Sequence, residues 1–325
     1  MRVDERPRRG ASSATLATLA VAALFALGPS GTEAARQARR GARPAPATAA
    51  RTTSRVLVVK AQPKAAVWVD EVRRGTTDEQ GELSVSLSPG AHTLRVRAAG
   101  YAERVLPVTA AQRGPLQVRL TPTTDGAELL FQQAEETRER GGGAAKAAEL
   151  YREALALRPR FPAARVGLAR ALAATDDHDA ALEQVAEARR ARPGFAEASA
   201  VEGRILRTLG DYDAALESYR RSLREARNFQ PEAHTGMGLV FEELSRHEEA
   251  VASFRRAIAQ LSDTEPVLYE LLGRNLERLE RWKEAADAYD KYLALAPGGR
   301  DAEAVRSIIE QLRRQAAEQE GERPD

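Results

Sequence analysis

The sequence predicts a multidomain chain: a small antiparallel β-sandwich followed by an all-α superhelix of stacked helix pairs. Two observations carry this reading. Between residues 55 and 121, apolar residues recur at every second position in short runs broken by Gly and Pro. Between residues 127 and 297, one pattern returns at intervals of 34, 34, 35 and 35 residues, the period of a helical repeat array. Composition agrees with both. Of 325 residues, 30% are charged, 43% apolar and only 5% aromatic, so the core must be built mainly from Ala, Leu and Val, as in a soluble globular chain.

At the amino end, Arg2, Arg6, Arg8 and Arg9 precede an apolar stretch from Ala14 to Leu27, and small residues follow to Ala34. A basic head, a short apolar run and a small-residue exit read as a secretory signal peptide over residues 1–34. The run, about 14 residues, is shorter than the roughly 20 that span a bilayer. The alternative is an uncleaved signal anchor that tethers the chain to the inner membrane. Gly10, Ala11 and Ser12 after Arg8-Arg9 do not support a twin-arginine signal. The expected destination is the bacterial periplasm, cell surface or medium, with no stable membrane span after cleavage. Residues 35–54 carry five Arg, two Pro and no aliphatic residue larger than Ala. That composition cannot offset its ordering entropy, so a disordered linker is expected.

The strands of residues 55–121 are marked by Val56 and Val58, Val67 and Val69, Leu83 to Leu87, Leu94 and Val96, and Leu116 to Leu120. Turn signals at Gln62-Pro63, Arg74-Gly75, Gln80-Gly81, Pro89-Gly90, Gly100 and Gly114-Pro115 separate six or seven strands. Trp68 is out of phase with Val67 and Val69; it either packs on the opposite face or offers an aromatic platform. His92 sits after a Pro-Gly turn, where strand-end hydrogen bonding is its expected role. Pro63-Lys-Ala-Ala-Val-Trp-Val-Asp70 and Ser88-Pro-Gly-Ala-His-Thr-Leu-Arg-Val-Arg-Ala-Ala-Gly-Tyr101 resemble the hallmarks of PEGA domains. The first stretch lacks a family glycine, and Thr76-Thr-Asp-Glu-Gln-Gly81 looks more like the carboxypeptidase-regulatory sandwich. Either resemblance implies a sandwich with a non-catalytic accessory role.

The repeats are set by Ala147-Tyr151-Ala154-Pro159, Ala181-Val185-Ala188-Pro193, Ala215-Tyr219-Ser222, Ala250-Phe254-Ala257 and Ala285-Tyr289-Tyr292-Pro297. Upstream halves Met237-Gly238-x-x-Phe241, Leu272-Gly273-x-x-Leu276 and Leu168-Ala169-x-x-Leu172 accompany them, with Glu202-Gly203-x-x-Leu206 departing at its first position. Small residues let two helices approach, an aromatic fills the gap to the next unit, and Pro stops the second helix. These five units over residues 127–297 resemble tetratricopeptide repeats. Val305, Ile308, Ile309 and Leu312 then mark a capping helix over 298–318, with a disordered tail over 319–325. The β and helical parts are expected to fold separately, with Thr124 or Asp125 capping the first helix.

Function classes are narrowed by what the sequence lacks. With Lys+Arg 49 against Asp+Glu 47, bulk charge predicts no nucleic-acid partner. No Cys occurs, which excludes thiolate metal sites, thiol nucleophiles and disulfides. The four His are isolated, and no nucleophile elbow, phosphate loop or zinc helix motif is found. Gly141-Gly-Gly143 reads as an inter-helix turn, and Asp176-Asp177-His178-Asp179 as a solvated turn with a helix cap. No enzyme activity, cofactor or metal is expected. The leading expectation is an exported protein–protein interaction scaffold whose sandwich docks to an envelope or surface component. The alternatives are a cell-wall or polysaccharide-binding adaptor and an accessory subunit of an exported enzyme or secretion machine. In the tetratricopeptide architecture the first helix of each pair lines the concave face. The resemblance therefore places Arg170, Arg204, Leu239 and Arg274 in one row, flanked by Ala173, Arg207, Glu242 and Glu277 and by Val166, Ala200, Thr235 and Glu270. The partner-binding candidates are Arg170, Arg204, Arg207, Glu242, Glu270, Arg274 and Glu277. The competing expectation is that Arg207 and Glu242 merely pair with each other.

Overall fold

The computed structural model describes residues 55–321 except 71, 88, 142, 228, 262–264 and 300. The leader and linker expected over residues 1–54, and residues 322–325 of the tail, lie outside the described residues. Seven strands come first: β1 Arg55–Lys60, β2 Ala66–Val69, β3 Val72–Thr76, β4 Glu82–Leu87, β5 His92–Arg97, β6 Arg104–Val108 and β7 Leu116–Gln117. They form two sheets, one in the order β4-β1-β7 and one in the order β3-β2-β5-β6. All pairings are antiparallel except β1 with β7. One apolar cluster is shared by both sheets and includes Leu57, Val59, Val67, Val69, Val85, Leu87, Leu94, Val96 and Val118. The phase expected for β1 needs correcting: Leu57 and Val59 face the core, whereas Val56 is 67% exposed. Four consecutive apolar residues at 56–59 hide the alternation that other strands display.

Eleven helices follow among the described residues. In chain order they are α1 Gly126–Glu139, α2 Ala144–Leu157, α3 Pro162–Ala173, α4 His178–Ala191, α5 Ala196–Thr208, α6 Tyr212–Glu225, α7 Pro231–Glu243, α8 His247–Leu261, α9 Pro266–Arg278, α10 Trp282–Leu295 and α11 Ala302–Gly321. The last helix runs to Gly321, three residues beyond the expected end of the cap. Helix starts follow local chemistry. The Asp125, Asp177 and Asp211 carboxylates accept from free backbone N–H groups of α1, α4 and α6, and Pro opens α3, α7 and α9. The turn inside each later pair is left-handed at one repeating position, namely Asp176, Gly210, Ser245 and Glu280. The next amide bonds back across the helix end, as in Asp177 N–H to the Leu172 carbonyl and Arg246 N–H to Phe241. Gly210 meets that geometry without strain; the three other residues cost about 1–2 kcal/mol each.

Stacking rests on rings set against small residues. Tyr219 of α6 is wedged between two neighbours: a Cβ added at Gly203 or Gly236 would come within 2.8 or 2.1 Å of its ring. Tyr151, Phe254 and Tyr289 are likewise buried, at 0%, 0% and 3% exposure. Each aromatic joins the two helices of its own unit or the first helix of the next, and the buried apolar residues of the stack form two clusters, one over α1–α5 and one over α6–α11.

Candidate concave-face site

Val67, Val69, Leu94 and Val96 point into the β core, so the alternate residues Trp68, Arg95 and Arg97 stand on the outer face of the second sheet. Trp68 lies opposite Arg95 in register, and the Arg95 and Arg97 guanidinium carbons sit 4.6 and 5.1 Å from its ring. This face meets the first helices of the repeats. Arg97 stacks on Phe131 of α1 at 4.5 Å while donating to Glu103 at 2.6 Å. Gly100 N–H donates to Gln132 Oε1 at 3.0 Å, and Gln132 Nε2 donates to the Tyr101 carbonyl at 2.8 Å. β3 bridges the groove: Arg73 pairs with Glu139 at the end of α1 at 2.7 Å, and Arg74 donates to the Gln260 carbonyl near the end of α8 at 3.3 Å. The two parts keep separate apolar clusters, yet a seam of charge, hydrogen bonds and stacked rings joins them. That seam was not legible in either part's periodicity. Trp68 is therefore a packing residue, in contact with arginines rather than with a second sheet.

The candidate residues divide along the groove. Arg170 of α3 pairs with Glu197 of α5 and, at 3.2 Å, with Glu232 of α7. Burial opposes its charge, but Glu197, Glu232 and Glu135 outweigh that and hold its pKa above the usual value. Burial likewise pushes the Glu197 carboxyl up, while Arg170, Arg95 and Arg97 pull it further down, below the usual carboxylate range. Arg204 lies 3.9 Å from Glu232. Arg207 pairs with Glu243 at 2.6 Å, not with Glu242 as the bland expectation had it. The correction is one of helical phase, because Glu242 turns instead towards Arg274 at 3.2 Å. Arg274 also reaches Glu270 at 3.6 Å, and Glu277 accepts from the Tyr289 hydroxyl at 2.5 Å.

Glu242, Arg274 and Glu277 border a cleft of about 980 Å³ that Trp282, Tyr289, Ile308 and Leu312 also line. Arg170 and Arg204 border a smaller cleft of about 410 Å³ beneath the second sheet, with Trp68, Arg95 and Arg97 as its roof. His92 keeps its strand-end role: its Nδ1 is 2.5 Å from Asp70 Oδ2, and Asp70 also accepts from Thr93 N–H at 2.8 Å. In the turn before α4, Asp177 caps the helix through the Ala180 amide at 3.4 Å. Among the described residues no group of three His, Asp or Glu is placed to hold a metal ion, and no helix is long and apolar enough to cross a membrane.

Two family models, both described as tetratricopeptide repeat, match residues 142–205 and 200–266. No curated protein matches the chain. Among solved structures, the type IV pilus biogenesis factor PilW is 19% identical with a TM-score of 0.52, over 60% of this chain and 89% of that one. PilF of Pseudomonas aeruginosa is 18% identical with a TM-score of 0.50, over 59% and 88%. The APC/C hetero-tetramer Cut9–Hcn1 gives 19% and 0.50 over 57% of this chain, which spans only 36% of the Cut9–Hcn1 chain it matches. At these identities the likeness is one of fold. The helical part of the chain is a superhelix of tetratricopeptide repeats preceded by a small two-sheet β region.

Proposed function

We propose that the chain is an exported, non-catalytic scaffold that holds a partner protein against the concave face of its repeats. The observation that carries this is the division of the groove. The β region covers the stretch around Arg170, whereas Glu242, Arg274 and Glu277 border a cleft of about 980 Å³, with Glu270 paired to Arg274 beside it. Partner contact is assigned to that open stretch, with Arg204 and Arg207 at its border. The basic head, short apolar run and small-residue exit of residues 1–34, read as a signal peptide, support a periplasmic or surface location. The β region, read as a PEGA-like sandwich, would then serve as the contact to an envelope component. Such a region with an arginine–tryptophan face turned inward is less suited to glycan binding, because its one aromatic platform is already stacked.

The test is site-specific photo-crosslinking in the cells that make the protein. A photoreactive residue at Glu270, in the open groove, should capture a discrete protein partner. The same residue at Glu217, an exposed position on α6, should not. Equal capture at both positions, or none at Glu270, would remove the groove from consideration. N-terminal sequencing of the mature protein tests export; an intact Met1 on a cytosolic species would overturn it.

A further inference from the structure

Where β3 crosses the groove, two clefts meet. One is the cleft of about 410 Å³ beneath the second sheet; the other, of similar size, opens on the far side. Arg73, Arg204, Pro231 and Glu232 line both. The second cleft is walled mainly by apolar groups: Leu239, Leu261, Val267 and Leu268, with Tyr219 and Gly236 beside them. Val267, in the first turn of α9, remains 51% exposed. An apolar wall that water still reaches gains by being covered.

The charges at this junction are unevenly matched. Arg73 has Glu139, Arg170 has Glu197 and Glu232, and Arg207 has Glu243. Among the described residues, the one ion pair of Arg204 is with Glu232 at 3.9 Å, and that carboxylate already serves Arg170 at 3.2 Å. Burial, which Glu232 only partly offsets and Arg170 worsens, holds the Arg204 guanidinium below its usual pKa. Its side chain nevertheless keeps 42% exposure, so a ligand can reach it. A half-buried guanidinium with one long, shared contact retains donors for a planar, two-oxygen acceptor.

We propose that this junction binds an extended segment of a partner protein in which an Asp or Glu side chain pairs with Arg204 and a neighbouring aliphatic side chain covers the Leu239–Leu261–Val267–Leu268 wall. The assignment rests on the scaffold reading and narrows it to a partner chemistry. The carboxylate gives Arg204 a counter-charge that it does not share with Arg170, and the aliphatic group removes the exposed apolar wall from water. The composite floor makes the site conditional on the β region being seated, because Arg73 of β3 is one of its walls.

The probes are two dye-labelled octapeptides of alternating residues, one Leu and Asp, the other Leu and Asn, acetylated and amidated so that no terminal charge is present. Binding to the full chain is followed by fluorescence anisotropy. The Asp peptide should bind about tenfold more tightly than the Asn peptide, the size of a charge-assisted contact. Arg204→Gln should reduce that preference to about twofold or less, and Val267→Asp should weaken the Asp peptide about tenfold. Arg224→Gln, an exposed position on α6 outside the groove, should change neither. Helical circular dichroism melts of each variant confirm folding. Equal binding of the two peptides, a preference that survives Arg204→Gln, or no binding of either overturns the proposal. Capture at Glu270 without a peptide preference would remove the acidic–aliphatic assignment alone; a preference without capture would instead remove the open-cleft reading.

Discussion

The two ends of the concave face use the same residue types to opposite ends. At the α1–α5 end, Arg170 has a side chain only 14% exposed, and the arginine face of a β-sheet lies over it. Three periods along the same row, Arg274 is 47% exposed and borders an open cleft. Both arginines touch two carboxylates. In one place the pairs are part of the fold; in the other they are a solvated surface. Position in a repeat fixes which face a side chain occupies, but what lies opposite that face decides whether its charge stabilises or recognises.

Arg170→Ala probes that difference where it should be largest. Removing the guanidinium leaves Glu197 and Glu232 facing a space without their main cation, and breaking a buried pair by one partner costs about 3–5 kcal/mol. A large fall in the denaturant midpoint at unchanged slope is expected. A loss below about 1 kcal/mol would mean that the sheet does not seal this end of the groove.

Acid titration separates the same regions by pH. Burial, with Arg256 adding to it, pushes the His234 imidazole of α7 down to about 4 from an ordinary 6.5. The unfolded chain then binds more protons between those values, so stability falls as pH drops from about 6.5 towards 4. The full loss is about 3 kcal/mol, and His234→Gln should remove that slope. The Glu197 and Glu135 carboxyls, both held below their usual range, contribute stability above about 4.5 that is lost only as pH falls through their lower folded values. A single Trp in each region reports the order: Trp68 under the sheet arginines and Trp282 at the open cleft. With Trp282→Phe, Trp68 emission should stay constant from pH 6 to 5 and change only below about 4.5. A change centred near pH 6 would contradict the ion-pair account of the seam.

How much of this was legible follows from which forces are periodic. Ala147, Tyr151, Gly203, Tyr219 and Gly238 recur because every unit solves the same packing problem, so the sequence displays the helix pairs directly. The strand alternation was equally plain in Leu94 and Val96 but gave the wrong phase at residues 56–59, where both faces are apolar in sequence. β3 and β6 carry charges and a Pro among their apolar residues, so their periodicity is weak, and both were missed as individual strands. The rows of groove residues followed from the repeat spacing. Their environment did not, because the roof of the cleft at Arg170 comes from Trp68, Arg95 and Arg97, about 70 to 100 residues upstream and with a different period. Nothing local to Gln132 marks it as the residue that holds Gly100 and Tyr101.

The smallest expected effect is the sharpest control on the comparison. Arg274→Ala removes contacts of 3.2 and 3.6 Å to Glu242 and Glu270, both between side chains that water reaches. Solvent takes over the hydration of the two carboxylates, and the arginine regains rotamer freedom, so the stability change should lie within about 0–1 kcal/mol. Partner capture should respond differently, since charge at an open surface steers association and selects among partners. The same photo-crosslinker at Glu270 should give a weaker adduct in Arg274→Ala than in the parent, at an unchanged melting temperature. A loss of several kcal/mol would show that the open end is as internally committed as the covered one, and the distinction between the two halves of the groove would then have to be abandoned.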